Sequence, residues 1–361
     1  MSIRARIDAA LDERRQSQLL REHRLYTQGS AINFSSNDYL GLSQAPEVKQ
    51  AFADGIRDYG SGSGASPLVS GYYPAHQALT AQLCEWTGMP RALLFNSGFA
   101  ANQAVLFCLL QKGDVLLQDK LNHASLQEAG MLSPATQWRF RHNDVGHLTS
   151  LVARHSPQLI ITEGVFSMDG DIAPLENIAE HKGNALLMVD DAHAAGVLGE
   201  EGRGSETPCD IKVITFGKAL GVAGAAVLCD ESIYEYLLQF ARHYTYSTAM
   251  PPAQACAIST AVTLARKDQW RRDRLHELSE LFYHELAGSA RAIRTATPIK
   301  PVVYDSIAEV MSVAERLNQH GMRISAIRPP TVPTPRLRIT LTALHSDNAV
   351  KQLCQRIKQG E

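Results

Sequence analysis

The chain has 361 residues, 45% of them apolar and 20% charged, with 35 Lys and Arg against 37 Asp and Glu for a formal net charge of −2. That length supports a large core, with one big domain and a smaller one as its natural division. The near-neutral balance gives no electrostatic case for a nucleic-acid or membrane partner; no apolar run approaches a membrane span, and six scattered cysteines without a C-x-x-C pair favour a reducing, cytoplasmic setting.

In chain order, Met1 to Arg24 is charged and carries no signal core. Ile7, Ala10, Leu11, Leu19 and Leu20 are spaced as on an amphipathic helix over 3–25, whose apolar stripe needs cover from the main body or a partner subunit. A glycine-serine loop follows (GSGSG, 60–64), then a helical stretch over 76–86. From there an apolar strand, a short turn and a helical pattern repeat. Strands are predicted at 92–95, 115–117, 159–162, 185–189, 213–216 and 225–228. Such alternation predicts an α/β fold with a mainly parallel sheet flanked by helices. Pro251-Pro252 breaks the chain and restarts it as a long helix over 253–287, followed by strands at 300–303 and 337–340. The expected organisation is an N-terminal helical arm (1–32), a large domain (33–246) and a small α+β domain (247–361). Arg271, Arg272 and Arg274, broken by Asp273, read as a solvated helix face.

The chemistry collects at strand ends, where open α/β sheets bind ligands. The first strand runs into Asn96-Ser97-Gly98-Phe99 and a helix, a turn suited to a phosphate. The strand over 159–162 ends at Glu163 and leads to Ser167. The next ends in Asp190-Asp191-Ala192-His193, where Asp191 reads as a helix cap and Asp190 with His193 as functional. The strand over 213–216 ends in Thr215-Phe216-Gly217 and delivers Lys218, enclosed by Gly217 and Gly221. Burial lowers the pKa of such an amine, as a Schiff-base lysine requires. A carrier lysine, a carboxylate for a ring nitrogen and a phosphate turn are the parts that pyridoxal 5'-phosphate (PLP) chemistry needs. GSGSG lacks the spacing of a dinucleotide fingerprint. His142, His147, His276 and His284 are badly spaced for zinc and read as surface histidines, so no metal is expected.

At these residues the sequence resembles the α-oxoamine synthases, PLP enzymes of fold type I. The resemblance spans nearly the whole chain through NFSSNDYLGL (33–42), LVSGYYPAHQAL (68–79), LLFNSGFAANQAV (93–105), NHASL (122–126), TEGVFSMDGD (162–171), MVDDAH (188–193), TFGKALG (215–221) and YSTAMPPAQA (246–255). AIRPPTVP (326–333) and RLRITLTA (336–343) point to the branch that condenses L-alanine with a pimeloyl thioester, with loss of carbon dioxide, in biotin biosynthesis. The acyl carrier would be coenzyme A or an acyl carrier protein. The resemblance implies a homodimer with shared active sites. It implies that Lys218 holds PLP and acts as acid and base, that Asp190 pairs with the ring nitrogen, that His193 bonds the ring hydroxyl and that His123 stacks on the ring. Gly98, Phe99 and Thr215 would lie in the phosphate and cofactor pocket, Ser167 would help hold the ring with Glu163 close by, and Thr248 would reach the phosphate of the other subunit. Arg338 and Asn37 would hold the amino-acid carboxylate, and Arg21 and Thr331 would lie near the acyl chain. The chain is shorter than the family pattern after Gln28, between Ser205 and Val213, around 296–300 and after Thr334. Competing readings are a relative that condenses glycine with acetyl- or succinyl-coenzyme A, an inactive scaffold of the same fold, and a simple aminotransferase or lyase.

Overall fold

A computed structural model describes residues 1–17, 19–21, 23, 25, 27, 29 and 31–359. The chain divides into two compact units, Met1–Ile32 and Asn33–Glu361.

In the first unit the helix runs only over Ile3–Gln16, shorter than the 3–25 expected. Ser2 caps it by accepting the Ala5 N–H at 3.2 Å. Arg14 and Arg15 fill its last turn, where the helix dipole favours cations, and Ser17 closes it by donating to Glu13 and Arg15 carbonyls. Leu19 and Leu20 therefore fall outside the helix. None of the helix residues is buried, and Ile7 and Leu11 are exposed.

The second unit is built on a seven-stranded sheet. Its strands are β1 (Arg91–Phe95), β2 (Val115–Asp119), β3 (Thr136–Phe140), β4 (Leu159–Glu163), β5 (Leu186–Asp190), β6 (Ile211–Thr215) and β7 (Ala225–Cys229), in the spatial order β1-β7-β6-β5-β4-β2-β3. Only β7 runs antiparallel to its neighbours, so the other six strands end at one edge of the sheet. Neighbouring side chains alternate between two buried faces. Ile161 and Met188 join a cluster with Val105 and Leu126, whereas Ile160, Leu187 and Val189 join one with Leu148 and Ile178. Burial on both faces is what a helix-flanked parallel sheet requires and explains the continuous apolar runs.

Four expectations need correction. The strand β3 was not legible, because TQWRF is an edge strand that buries only Phe140 and carries little apolar signal. Strand β6 starts two residues earlier than 213, since Lys212 is buried there beside Asp191. The helix over 253–287 is two helices, Pro252–Lys267 and Gln269–Glu285, broken at Asp268. Arg271 and Arg272 are not solvated: Arg271 donates to the Leu40 carbonyl at 2.8 Å and Arg272 to that of Ala265, which fixes the second helix to the body.

The helix Pro252–Lys267 packs on Pro46–Tyr59 and Pro74–Thr87. Gln82 donates to the Ser259 carbonyl and the Thr263 hydroxyl, and Gly55 lies so close to Ala253 that a Cβ would stand 2.6 Å from its Cα. Beyond it a three-stranded antiparallel sheet forms from β8 (Ile299–Val303), β9 (Ser325–Ile327) and β10 (Arg336–Thr340), with β10 central. Among the described residues no helix is long and apolar enough to cross a membrane, and all six cysteines are free.

Candidate active site

The six co-directional strands place Phe95, Asp119, Phe140, Glu163, Asp190 and Thr215 at one edge of the sheet. A cavity of about 370 Å³ opens there, lined by Asn37, Asn96, Ser97, Gly98, Phe99, Asn102, His123, Ser125, Glu163, Asp190, Ala192, His193, Thr215, Gly217, Lys218, Ala223 and Gly224. Lys218 follows β6 in a turn closed by the Gly221 N–H to the Lys218 carbonyl at 2.9 Å. Gly221 has φ +67°, and a Cβ there would meet the Ser43 backbone nitrogen at 2.2 Å, so only glycine seats this turn on the 42–43 segment.

Asp190 is buried, and its carboxylate accepts the Asn102 amide at 2.8 Å and the Ala192 N–H at 3.0 Å. Asn102 also donates to the Ser125 hydroxyl at 2.9 Å. His193 Nδ1 lies 2.7 Å from the Tyr39 hydroxyl, which leaves Nε2 as the ring nitrogen not engaged by tyrosine. Burial, with help from Lys218 and Arg338, lowers the His193 pKa well below its ordinary value and keeps the ring neutral. Burial likewise pushes the Tyr39 hydroxyl up to about 12. Burial also lowers the Lys218 amine, with Asp190 and Glu163 opposing it. Glu163 is raised well above the carboxylate range by burial and then by Asp190, and it accepts the His123 N–H.

His123 caps the helix Ala124–Leu132, and its Nδ1 bonds the Ser125 hydroxyl at 2.8 Å. Its ring lines the cavity, and burial lowers its pKa, with Asp190 opposing and Lys218 adding to the fall. The structure thus brings together Lys218, Asp190, His193, His123, Glu163, Gly98, Phe99, Thr215 and Asn37. Arg338 is buried at the cavity's side; its Nη2 donates to Asn37 at 3.0 Å and its Nε to the Ser167 carbonyl. Ser167 therefore meets the site through its backbone. Thr248 is exposed, and its carbonyl accepts the Asn96 amide at 2.8 Å. Thr331 is exposed just beyond Pro330, outside the cavity lining, and Arg21 is an exposed residue of the first unit.

Asp191 caps no helix. It is fully buried, accepts the Ser205 N–H and hydroxyl, and lies 3.6 Å from Lys212, so it ties the loop at 202–205 to β6. Tyr39, Asn102 and Ser125 were given no role from the sequence. Asn102 had a detectable signal: it stands four residues after Gly98, hence on the same helix face, and it and Gln103 are the polar residues of an otherwise apolar helix.

The donor set fits PLP. The helix Gly98–Leu109 begins at the cavity with Ser97 as cap, which takes the Ala100 N–H at 3.2 Å. The N–H groups of Gly98 and Phe99 have no intrahelical acceptor and suit a phosphate. A Cβ on Gly98 would stand 2.6 Å from Thr215 Cγ2, so glycine lets this helix close on β6. A buried carboxylate and a lysine of lowered pKa complete the set for a pyridine nitrogen and an aldehyde. Gly98→Ala is accordingly expected to weaken PLP binding by about 1–3 kcal/mol, the usual cost of overpacking. Titration of apo-protein with PLP measures this, and Thr215→Ser in the same background should recover much of it.

A mainly parallel sheet with this lysine, carboxylate and helix terminus at its carboxyl edge defines a PLP-dependent transferase of fold type I. A family model for aminotransferase class I and II matches residues 30–357. The chain is 55% identical to an 8-amino-7-oxononanoate synthase of Aliivibrio fischeri (strain MJ11), over 91% of this chain and 89% of that protein. Among solved structures, serine palmitoyltransferase from S. paucimobilis with a bound PLP–myriocin adduct matches with TM-score 0.92 and 25% identity, covering 100% and 98% of the two chains. An 8-amino-7-oxononanoate synthase from Francisella tularensis matches with TM-score 0.81 and 31% identity, covering 91% and 97%. The chain belongs to the class I and II aminotransferase family and, within it, to the 8-amino-7-oxononanoate synthases.

Proposed function

We propose that the chain joins L-alanine to a pimeloyl thioester. A bond forms between the alanine Cα and the thioester carbonyl carbon, the carrier thiol leaves, and the alanine carboxylate departs as carbon dioxide. The product is 8-amino-7-oxononanoate. The observation that carries this reading is 55% identity to a synthase of that name across 91% of the chain, with the cavity residues of that chemistry assembled.

PLP, when bound through Lys218, supplies the electron sink that loosens the bonds at the amino-acid Cα. The chain's own residues do the rest. Asp190, steadied by Asn102 and the Ala192 N–H, holds a proton at the ring nitrogen. His193, steadied by Tyr39, holds the ring hydroxyl, and His123 covers the ring face. With PLP in place, the Lys218 amine would take the proton at the amino-acid Cα and return one to the same carbon; burial lowers its pKa, which favours the neutral, proton-accepting amine. Arg338, fixed by Ser167 and Asn37, would bind the amino-acid carboxylate and so orient the bonds at Cα.

A homodimer fits the surface. The segments 65–72 and 246–249 are joined by the Ala249 N–H to the Ala65 carbonyl at 3.0 Å, and they expose Leu68, Val69, Tyr72 and Tyr246. A second copy covering them would bring Thr248 to its neighbour's phosphate site.

Assays with pimeloyl-coenzyme A and either L-alanine or glycine test the substrate reading. Glycine should be roughly 10- to 200-fold poorer in kcat/KM, the usual worth of one missing carbon. A preference for glycine with acetyl-coenzyme A would place the chain with a different reaction.

A further inference from the structure

His142 is not the surface histidine that its spacing suggests. Its Nδ1 lies 3.0 Å from Asp119 and its Nε2 2.8 Å from Asp171, and its ring stands edge-on to Phe166 with centroids 4.4 Å apart. Burial disfavours its charge, yet the two carboxylates outweigh burial and hold its pKa up at about 10. Both ring nitrogens are therefore donors at neutral pH. The adjacent Asn143 repeats the pattern, its N–H bonding Asp119 at 2.9 Å and its amide bonding Asp171 at 2.7 Å.

The two carboxylates belong to two loops that set residues of the site, one delivering His123 and the other holding Arg338. Asp119 ends β2 and accepts the Leu121 N–H at 2.8 Å, while its carbonyl accepts the Asn122 N–H, so it sets the turn that delivers His123. Asp171 closes the other turn: its carbonyl accepts the Phe166 N–H at 3.0 Å, and the Gly170 N–H donates to Phe166 at 2.8 Å. That turn holds the two arginines of β10. The Ser167 carbonyl takes Arg338, and Asp169 takes Arg336. From the C-terminal side the turn is held by the Thr297 hydroxyl donating to Gly170 at 2.7 Å.

We infer that His142 is a positioning residue, which clamps the 119–123 loop to the 166–171 turn and thereby fixes the angle at which Arg338 meets the amino-acid carboxylate. The inference rests on the reading that Arg338 binds that carboxylate. The clamp touches neither cofactor nor substrate; it acts through the Ser167 carbonyl. Its mark is a defect confined to amino-acid binding, not a general loss of the fold.

The test is a double-mutant cycle on PLP-loaded enzyme, reading the L-alanine dissociation constant from the visible spectrum, with His142→Gln, Arg338→Ala and the pair. His142→Gln should weaken L-alanine binding about tenfold, within the coupling range of connected residues. PLP affinity and the KM for pimeloyl-coenzyme A should stay within about twofold, and the effect should largely vanish in the Arg338→Ala background. Asp171→Asn, which keeps the side-chain volume, should reproduce the defect if His142→Gln expresses poorly. Unchanged L-alanine affinity in both clamp variants overturns the inference while Arg338→Ala still weakens binding; so do effects that simply add. If Arg338→Ala itself leaves L-alanine affinity intact, the carboxylate reading fails instead, and the clamp inference falls with it.

Discussion

Lys218→Ala is expected to leave a folded protein whose turnover is at least ~10⁴-fold slower, since one side chain supplies both the covalent hold and the proton exchange at Cα. The fold should tolerate the change, because burial disfavours the charged Lys218 amine and truncating it removes that cost, even though its attraction to Asp190 and Glu163 goes as well. Single-turnover product formation by stopped-flow and mass analysis measures the rate, and thermal unfolding checks the fold. The variant should still take up PLP, because the phosphate site at Gly98 and Phe99 and the carboxylate of Asp190 lie on other elements. Turnover within tenfold of the parent would remove Lys218 from the chemistry.

Asp190→Asn should lower kcat by about 10²–10³-fold, the scale on which a single preorganised electrostatic partner acts. The substitution is nearly isosteric, so the cavity keeps its shape; what is lost is the charge opposite the ring nitrogen. Two neighbours should report that loss independently of rate. Asp190 helps to raise the Glu163 pKa and to support that of Lys218. In Asp190→Asn the Glu163 carboxyl should therefore titrate lower, and the Lys218 amine lower as well. In PLP-free protein, carbonyl-labelled infrared spectra read the first shift and the pH dependence of Lys218 acylation rates reads the second. A variant with unchanged kcat and unchanged titrations would contradict the assignment.

Much of this site was legible because a parallel sheet concentrates chemistry at strand ends. Asn96 to Phe99, Glu163, Asp190, His193 and Lys218 each follow an apolar run directly, so reading the strands was enough to find them. Residues whose role depends on partners distant in sequence were hidden. Asn102 and Ser125 look like helix interior until the fold sets them 2.9 Å apart beneath Asp190. His142 meets Asp119 from one strand end and Asp171 from a turn, and nothing in its local spacing announces either. Asp191 was read as a helix cap because the sequence does not show that Lys212 and Ser205 return to it. The same limit applied to the fold: β3, half exposed at the sheet edge, lacks the apolar run that marked the buried strands.

The most direct test supplies the PLP-loaded protein with carboxyl-¹³C-labelled L-alanine and pimeloyl-coenzyme A, and follows carbon dioxide and products by mass spectrometry. The account predicts labelled carbon dioxide, free coenzyme A and unlabelled 8-amino-7-oxononanoate in equal amounts. Retention of the label in pyruvate, or release of carbon dioxide without a new carbon–carbon bond, would contradict it.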